Sequence, residues 1–199
     1  MIRLTLVLFY ITFSSLNSEP VDDYLKIFSD KNISINQNAM LVLGSWATAN
    51  ILIGTYGNFK TTGTTKYFHQ FNVMWNLVNL GIASFGYFNS TSKKTSNQTQ
   101  SQIIKDYNSL QNFLMLNAGL DIAYIIAGFY LKERAAKSKR TQLLNGYGSS
   151  LILQGAFLLI FDVSLFFIHN HNASLYLYPS LENLLSNDKS IGLGLNINF

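Results

Sequence analysis

The chain alternates between long apolar runs and shorter polar joins. Residues 39–59 (AMLVLGSWATANILIGTYGNF) and 70–88 (QFNVMWNLVNLGIASFGYF) contain no charged side chain, and residues 113–131 and 151–169 contain one each, Asp121 and Asp162. Each run is 19 to 21 residues long. At about 1.5 Å of helix per residue this matches a hydrocarbon core of about 30 Å. Strands of a membrane barrel are instead alternating segments of about ten residues, a pattern these runs lack. The pattern therefore predicts an all-α integral membrane bundle over 39–169, with transmembrane helices at 39–59, 70–88, 113–131 and 151–169.

The flanks read differently. Arg3 is followed by an apolar run from Leu4 to Phe13 and a small polar stretch, Ser14 to Ser18. The run is about half of the ~20 residues that span a bilayer, so residues 1–18 read as a secretory signal peptide rather than a first membrane helix. Residues 19–38 mix Val21, Tyr24, Leu25, Ile27, Phe28 and Ile33 with Asp22, Asp23, Lys26, Asp30 and Lys31. They form either an extracytoplasmic connector or an amphipathic helix at the interface. Ser90 to Gln102 is a polar, low-complexity stretch expected as an open outer loop. In the tail, 170–199, Ser180 to Asn187 suits a short helix. Ser190 to Phe199 alternates apolar with small or polar residues, the period of a strand, which would be an exposed tail or a strand paired to a partner protein.

Composition sharpens this picture. Only 12% of the 199 residues are charged and 48% are hydrophobic, against roughly 25% charged in soluble domains, so much of the apolar surface must face lipid. The absence of Cys excludes disulfides, thiolate catalysis and thiolate metal sites. The net charge of +4 suggests nucleic acid until the basic residues are placed. Lys60 and Lys66 lie in the first join and Lys132, Arg134, Lys137, Lys139 and Arg140 in the third, seven residues against Lys93, Lys94 and Lys105 in the second. Basic residues near helix ends stay in the cytoplasm. The first and third joins are thus cytoplasmic, both termini are outside, and nucleic acid is excluded as a partner in favour of the lipid bilayer.

The candidate chemistry lies inside the bundle, where polar side chains are costly and mark function or helix association. Asn50 lies nine residues before Phe59, Asn79 nine after Gln70, Asp121 ten before Leu131 and Asp162 eleven after Leu151. If 39–59, 70–88, 113–131 and 151–169 are the spans, all four fall within about 3 Å in depth. Asn76 lies one turn and Asn72 two turns before Asn79 on the same face, Asn117 one turn before Asp121, and Gln154 two turns before Asp162. The expected binding layer is Asn50, Asn76, Asn79, Asn117, Asp121, Gln154 and Asp162. Its bland role is interhelical hydrogen bonding at roughly 0.6–2 kcal/mol per bond; its sharper role is a proton or cation site at Asp121 and Asp162. Tyr67, His69, Gln70 and Asn72 would sit at the cytoplasmic mouth of the second helix, where His69 suits a metal or an anionic group, or simple interfacial hydrogen bonding. His169 and His171 end the fourth helix, roughly 25–30 Å away, so the histidines make no common metal centre. No nucleophile elbow, phosphate loop or H-E-x-x-H pattern occurs. No catalytic residue, metal or cofactor is assigned.

The segments MLVLGSWATANI, TKYFHQFNVMWNLVNLGIA, NAGLDIAYIIAGFYLKERA and NGYGSSLILQGAFLLIFD resemble an uncharacterised family of bacterial membrane proteins, mostly from Bacteroidetes, with four predicted membrane helices and a domain of unknown function. The resemblance covers about residues 38–169. It includes Tyr67, His69, Gln70, Asn72, Trp75, Asn76, Asn79, Asn117, Gly119, Asp121, Gln154, Gly155 and Asp162. It implies a bacterial inner-membrane location and carries no activity. The first expectation for function is a non-enzymatic membrane component or accessory scaffold, as a homo-oligomer or beside a membrane partner. The alternative is a small transporter, channel or ligand-binding protein using the polar layer, and the third is a membrane enzyme acting on a lipid or quinone.

Overall fold

Every apolar run becomes helix, and each helix continues well beyond its apolar part. The computed structural model describes residues 23–95 and 98–189, with side chains over 23–93 and 98–183. Helices α1 (Asp23–Lys60), α2 (Gly63–Thr95), α3 (Gln100–Ala135) and α4 (Thr141–Asn172) are followed by a π-helical turn, Ala173–Leu177, and α5 (Tyr178–Lys189). The expected signal peptide, 1–18, and the alternating tail from Ser190 to Phe199 lie outside the described residues.

The joins are shorter than hydropathy suggests. Residues from Asp23 onward are continuous with α1 instead of forming a separate connector, and most of the expected outer loop, Ser90 to Gln102, is helical. Hydropathy marks only the part of a helix suited to lipid, whereas the backbone ladder continues into water where tertiary packing supports it. Here Leu25 and Phe28 of α1 bury against Ile103 and Tyr107 of α3 and against Ala173 and Leu177. The ends are specified locally. Gly63, at φ +62°, supplies the left-handed residue that reverses the chain between α1 and α2. Thr99 and Gln102 form a capping box that starts α3. Pro179 has no N–H and its ring crowds the carbonyl four residues back, which accounts for the widened turn between α4 and α5.

The chain runs up, down, up and down as two antiparallel hairpins, α1/α2 and α3/α4, joined mainly where α2 lies along α4. α2 and α3, although consecutive, share no Cα pair within 8 Å among the described residues. Their backbones flank a cleft. Close approach on the other side is set by glycine: a Cβ on Gly155 would stand 2.9 Å from the Asp121 carbonyl oxygen.

Burial is inverted relative to a soluble protein. Asn76 and Gln154 are fully buried, while Leu52 is 66% and Phe85 75% exposed. Such a distribution leaves the apolar side chains for lipid. The helices α1, α3 and the continuous stretch Thr141–Asn183 are long and apolar enough to cross a membrane. α2, at 33 residues, is long enough, but Asn72, Asn76 and Asn79 dilute its hydropathy, so among the described residues three such helices stand where the sequence pattern predicts four.

Candidate functional site

The polar residues expected in one layer separate into two groups along the bundle. The first is a closed ring of hydrogen bonds over three helices. Trp46 Nε1 of α1 donates to Gln154 Oε1 of α4 at 3.1 Å. Gln154 Nε2 donates to Asn72 Oδ1 of α2. Asn72 Nδ2 donates to Asn50 Oδ1 at 2.8 Å, and Asn50 Nδ2 returns to the Trp46 carbonyl at 2.8 Å. Asn76 joins from one turn along α2, its Nδ2 donating to the Asn72 carbonyl at 2.8 Å. The Trp46 ring stacks on Phe157, centroids 3.9 Å apart. Gln154, Asn72 and Asn50 each donate and accept, as a buried network requires, whereas Asn76 Oδ1 is buried with no partner among the described residues. α3 takes no part in it.

The second group stands further along the same helices, Asp162 lying eight residues or about 12 Å beyond Gln154. Here Asp121 of α3 and Asp162 of α4 are electrostatic neighbours at the wall of one cavity. Both are buried, at 3% and 7% exposure. Gly155 makes this juxtaposition possible by letting α4 lie against the backbone at Asp121. The pair borders a cavity of about 270 Å³ reached by all four helices, with Trp75, Asn79, Asn117 and Tyr124 also in its wall. Trp75 Nε1, Asn79 Nδ2 and Asp121 Oδ2, on residues of this wall, are buried with no hydrogen-bond partner among the described residues. Unpartnered polar groups are rare in a folded interior.

A second compartment of about 310 Å³ continues the cleft toward the end bearing the α2–α3 join. Asn36, Met40, Ile82, Leu110 and Phe113 border both. Side chains bridge α2 and α3 at two levels. The Trp75 and Tyr124 rings meet edge to face at 4.8 Å beside the carboxyl pair, and Lys93 pairs with Asp106 at 2.7 Å at the far end.

The remaining expected residues do not form a common site. Gln70 is exposed and Tyr67 half-buried against Tyr147. Asn72, expected at the mouth, is the centre of the amide ring. His69 packs on Gly57, where a Cβ would collide with the imidazole. His169, expected at an interface, is fully buried. Its Nδ1 lies 2.6 Å from Asn32 Oδ1 and its Nε2 3.1 Å from Asn36 Oδ1. Among the described residues no three of His, Cys, Asp or Glu gather as metal ligands would.

A family model, described as a family of unknown function (DUF6992), matches residues 42–163. The chain belongs to this family. The DUF6992 region contains the whole amide ring and both carboxyls, while Asn36 and the cluster about His169 fall outside it. No curated protein and no solved structure matches the chain.

Sequence reasoning passes over Trp46 and Tyr124, and it counts Trp75 only within the family resemblance. Aromatics in an apolar run carry no periodic signal that separates a cavity wall from a lipid face. Asn32 and Asn36 are readable as an i, i+4 pair, but only if the segment before residue 39 is taken as one helix with residues 39–59.

Proposed function

We propose that this chain is a four-span membrane protein of a bacterial inner membrane, with both termini outside the cytoplasm, that binds a small molecule in the cavity beside Asp121 and Asp162. Support for α2 as the fourth span comes from its outward side chains, among them Leu77, Val78 and Phe85, all exposed and apolar, while its asparagines point inward. The basic residues of the α1–α2 and α3–α4 joins support the orientation. The observation that carries the binding reading is that Trp75, Asn79 and Asp121, each with a buried polar atom lacking a partner among the described residues, belong to the wall of one cavity. Helix association alone gives no reason to leave them unmet, because lipid-facing leucine costs nothing by comparison.

The absence of Cys makes topology directly testable. A membrane-impermeant maleimide should label Ser101→Cys in intact spheroplasts and Ser138→Cys only after permeabilisation; labelling of both from one side refutes the four-span arrangement. Native mass spectrometry of protein released from mild detergent should show a small-molecule adduct that disappears in Asn79→Leu. A second reading, the accessory scaffold or homo-oligomer, is favoured by the amide ring, which holds three helices together without a ligand. Recovery of a stoichiometric protein partner, with no adduct, would support it instead.

A further inference from the structure

The charge of the site narrows the class of ligand. Two neighbouring buried carboxyls without a compensating cation do not both ionise, so the Asp121–Asp162 pair holds one proton and carries besides it one negative charge or one further proton. A buried anion needs a compensating cation or it neutralises. Among the described residues no basic side chain lines the cavity. α1 contributes Asn36, Met40 and Leu43, α2 contributes Trp75, Val78 and Asn79, and α3 adds the Tyr124 hydroxyl as the one other titratable group. His169 of α4 is held by Asn32 and Asn36, and Lys93 is paired with Asp106 at the far end of the adjoining compartment.

The walls are aromatic as well as acidic. Trp75, Tyr124, Phe113 and Phe161 line the same cavity as the pair, and aromatic side chains beside a carboxylate are the usual environment for an ammonium group. A hydrated metal ion is served poorly by such walls, since it needs several oxygen ligands. The approach is apolar too. Val78, Ile82, Phe113 and Leu120 border the cavity and are also 43–63% exposed, on the side where the α2 and α3 backbones stand apart. A volume of about 270 Å³ lies just below the ~300–1,000 Å³ of ordinary small-ligand pockets.

We infer that the cavity takes a small lipophilic organic cation, an ammonium group on an apolar body, entering from the bilayer between α2 and α3 and replacing the second proton of the carboxyl pair. This rests on the binding reading above. The exchange balances: the ammonium arrives with one positive charge, one proton leaves to bulk water, and the other proton stays on the Asp121–Asp162 pair. Trp75 and Asn79 donate to an acceptor on the same molecule where it has one.

The test uses the full chain in nanodiscs, with empty nanodiscs subtracted. Benzyltrimethylammonium is the probe and neopentylbenzene, its uncharged isostere, the control. Titration calorimetry in two buffers of different ionisation enthalpy should count about one proton released per cation bound, with Kd falling up to about tenfold per unit rise in pH. The isostere should bind at least about tenfold more weakly and release no proton. The double variant Asp121→Asn with Asp162→Asn should lose the ammonium and keep whatever affinity the isostere shows. If that variant fails to fold, the proton count and the cation-to-isostere ratio of the unmodified protein decide alone. Equal binding of both probes without proton release overturns the cation assignment and leaves small-molecule binding standing. Binding of neither overturns both.

Discussion

Asn72 and Asn79 lie seven residues apart on one face of α2, yet replacing each by Leu should have opposite effects. Asn72 is the centre of the amide ring, donating to Asn50 Oδ1 and accepting from Gln154 Nε2. Asn72→Leu removes both links and strands the Gln154 amide, which is fully buried. Interhelical hydrogen bonds in membrane proteins average about 0.6 kcal/mol each, with a maximum near 1.7, and a buried donor left unmet costs about 1–3 kcal/mol. The expected loss is about 2–4 kcal/mol. Asn79 Nδ2 has no partner to lose, so Asn79→Leu removes a stranded donor and should be neutral or stabilising by about 1 kcal/mol. The assay is reversible unfolding in mixed micelles with SDS. It is followed by circular dichroism and by the fluorescence of the two tryptophans, of which Trp46 sits in the ring. A double-mutant cycle of Asn72→Leu with Gln154→Leu should return a coupling of about 0.5–3 kcal/mol, as for groups in contact. Equal effects of the two asparagine changes, or a coupling near zero, would refute the division of the polar layer into a structural ring and an unfilled cavity.

Other consequences are as direct. Gly155→Val brings Cβ to 2.9 Å from both the Asp121 carbonyl oxygen and Ile125 Cγ1; it should cost about 1–3 kcal/mol as overpacking does, seen as a lower SDS midpoint, and should abolish any adduct at the carboxyl pair. Gly63→Ala places a Cβ on a left-handed residue and should destabilise by about 1 kcal/mol in the same assay, without altering ligand retention. Asp106→Asn breaks an ion pair whose side chains are 38% and 41% exposed. Its effect should stay below about 1 kcal/mol and shrink in high salt; a larger, salt-independent loss would mean that Lys93 and Asp106 bear on the fold more than surface pairs do.

Much of the fold was legible in the chain because its signals are one-dimensional. Apolar length located the four helices, and the positions of Asp121 and Asp162 within their runs singled out two carboxyls that border one cavity. Helix ends were less legible. The polar sequence from Asp23 to Asn38 and that around Ser90 to Gln102 look like joins to any measure of hydropathy, and became helix because Leu25, Phe28, Ile103 and Tyr107 bury one another. The surroundings of His169 were hidden for the same reason: its partners, Asn32 and Asn36, lie in a stretch that hydropathy left outside the bundle.

What the sequence determined by itself is the inverted character of the protein: apolar faces long enough for lipid, polar groups confined to the interior, and two acidic residues in corresponding positions of adjacent helices. Those properties follow from local composition and from the 3.6-residue period, which need no knowledge of neighbours. The tertiary structure alone decided which polar groups meet. Counting depth put Asn50, Asn79, Asp121 and Asp162 in one layer, but hydrogen bonds depend on rotation about each helix and on which helices touch. α2 lies along α4 and away from α3, so Asn50 finds Asn72 and Gln154, whereas Asn79 and the carboxyl pair are left around open space. The sequence carries the depth of a side chain; only the packed helices determine its direction, and here direction separates the ring that holds three helices together from the cavity beside the carboxyl pair.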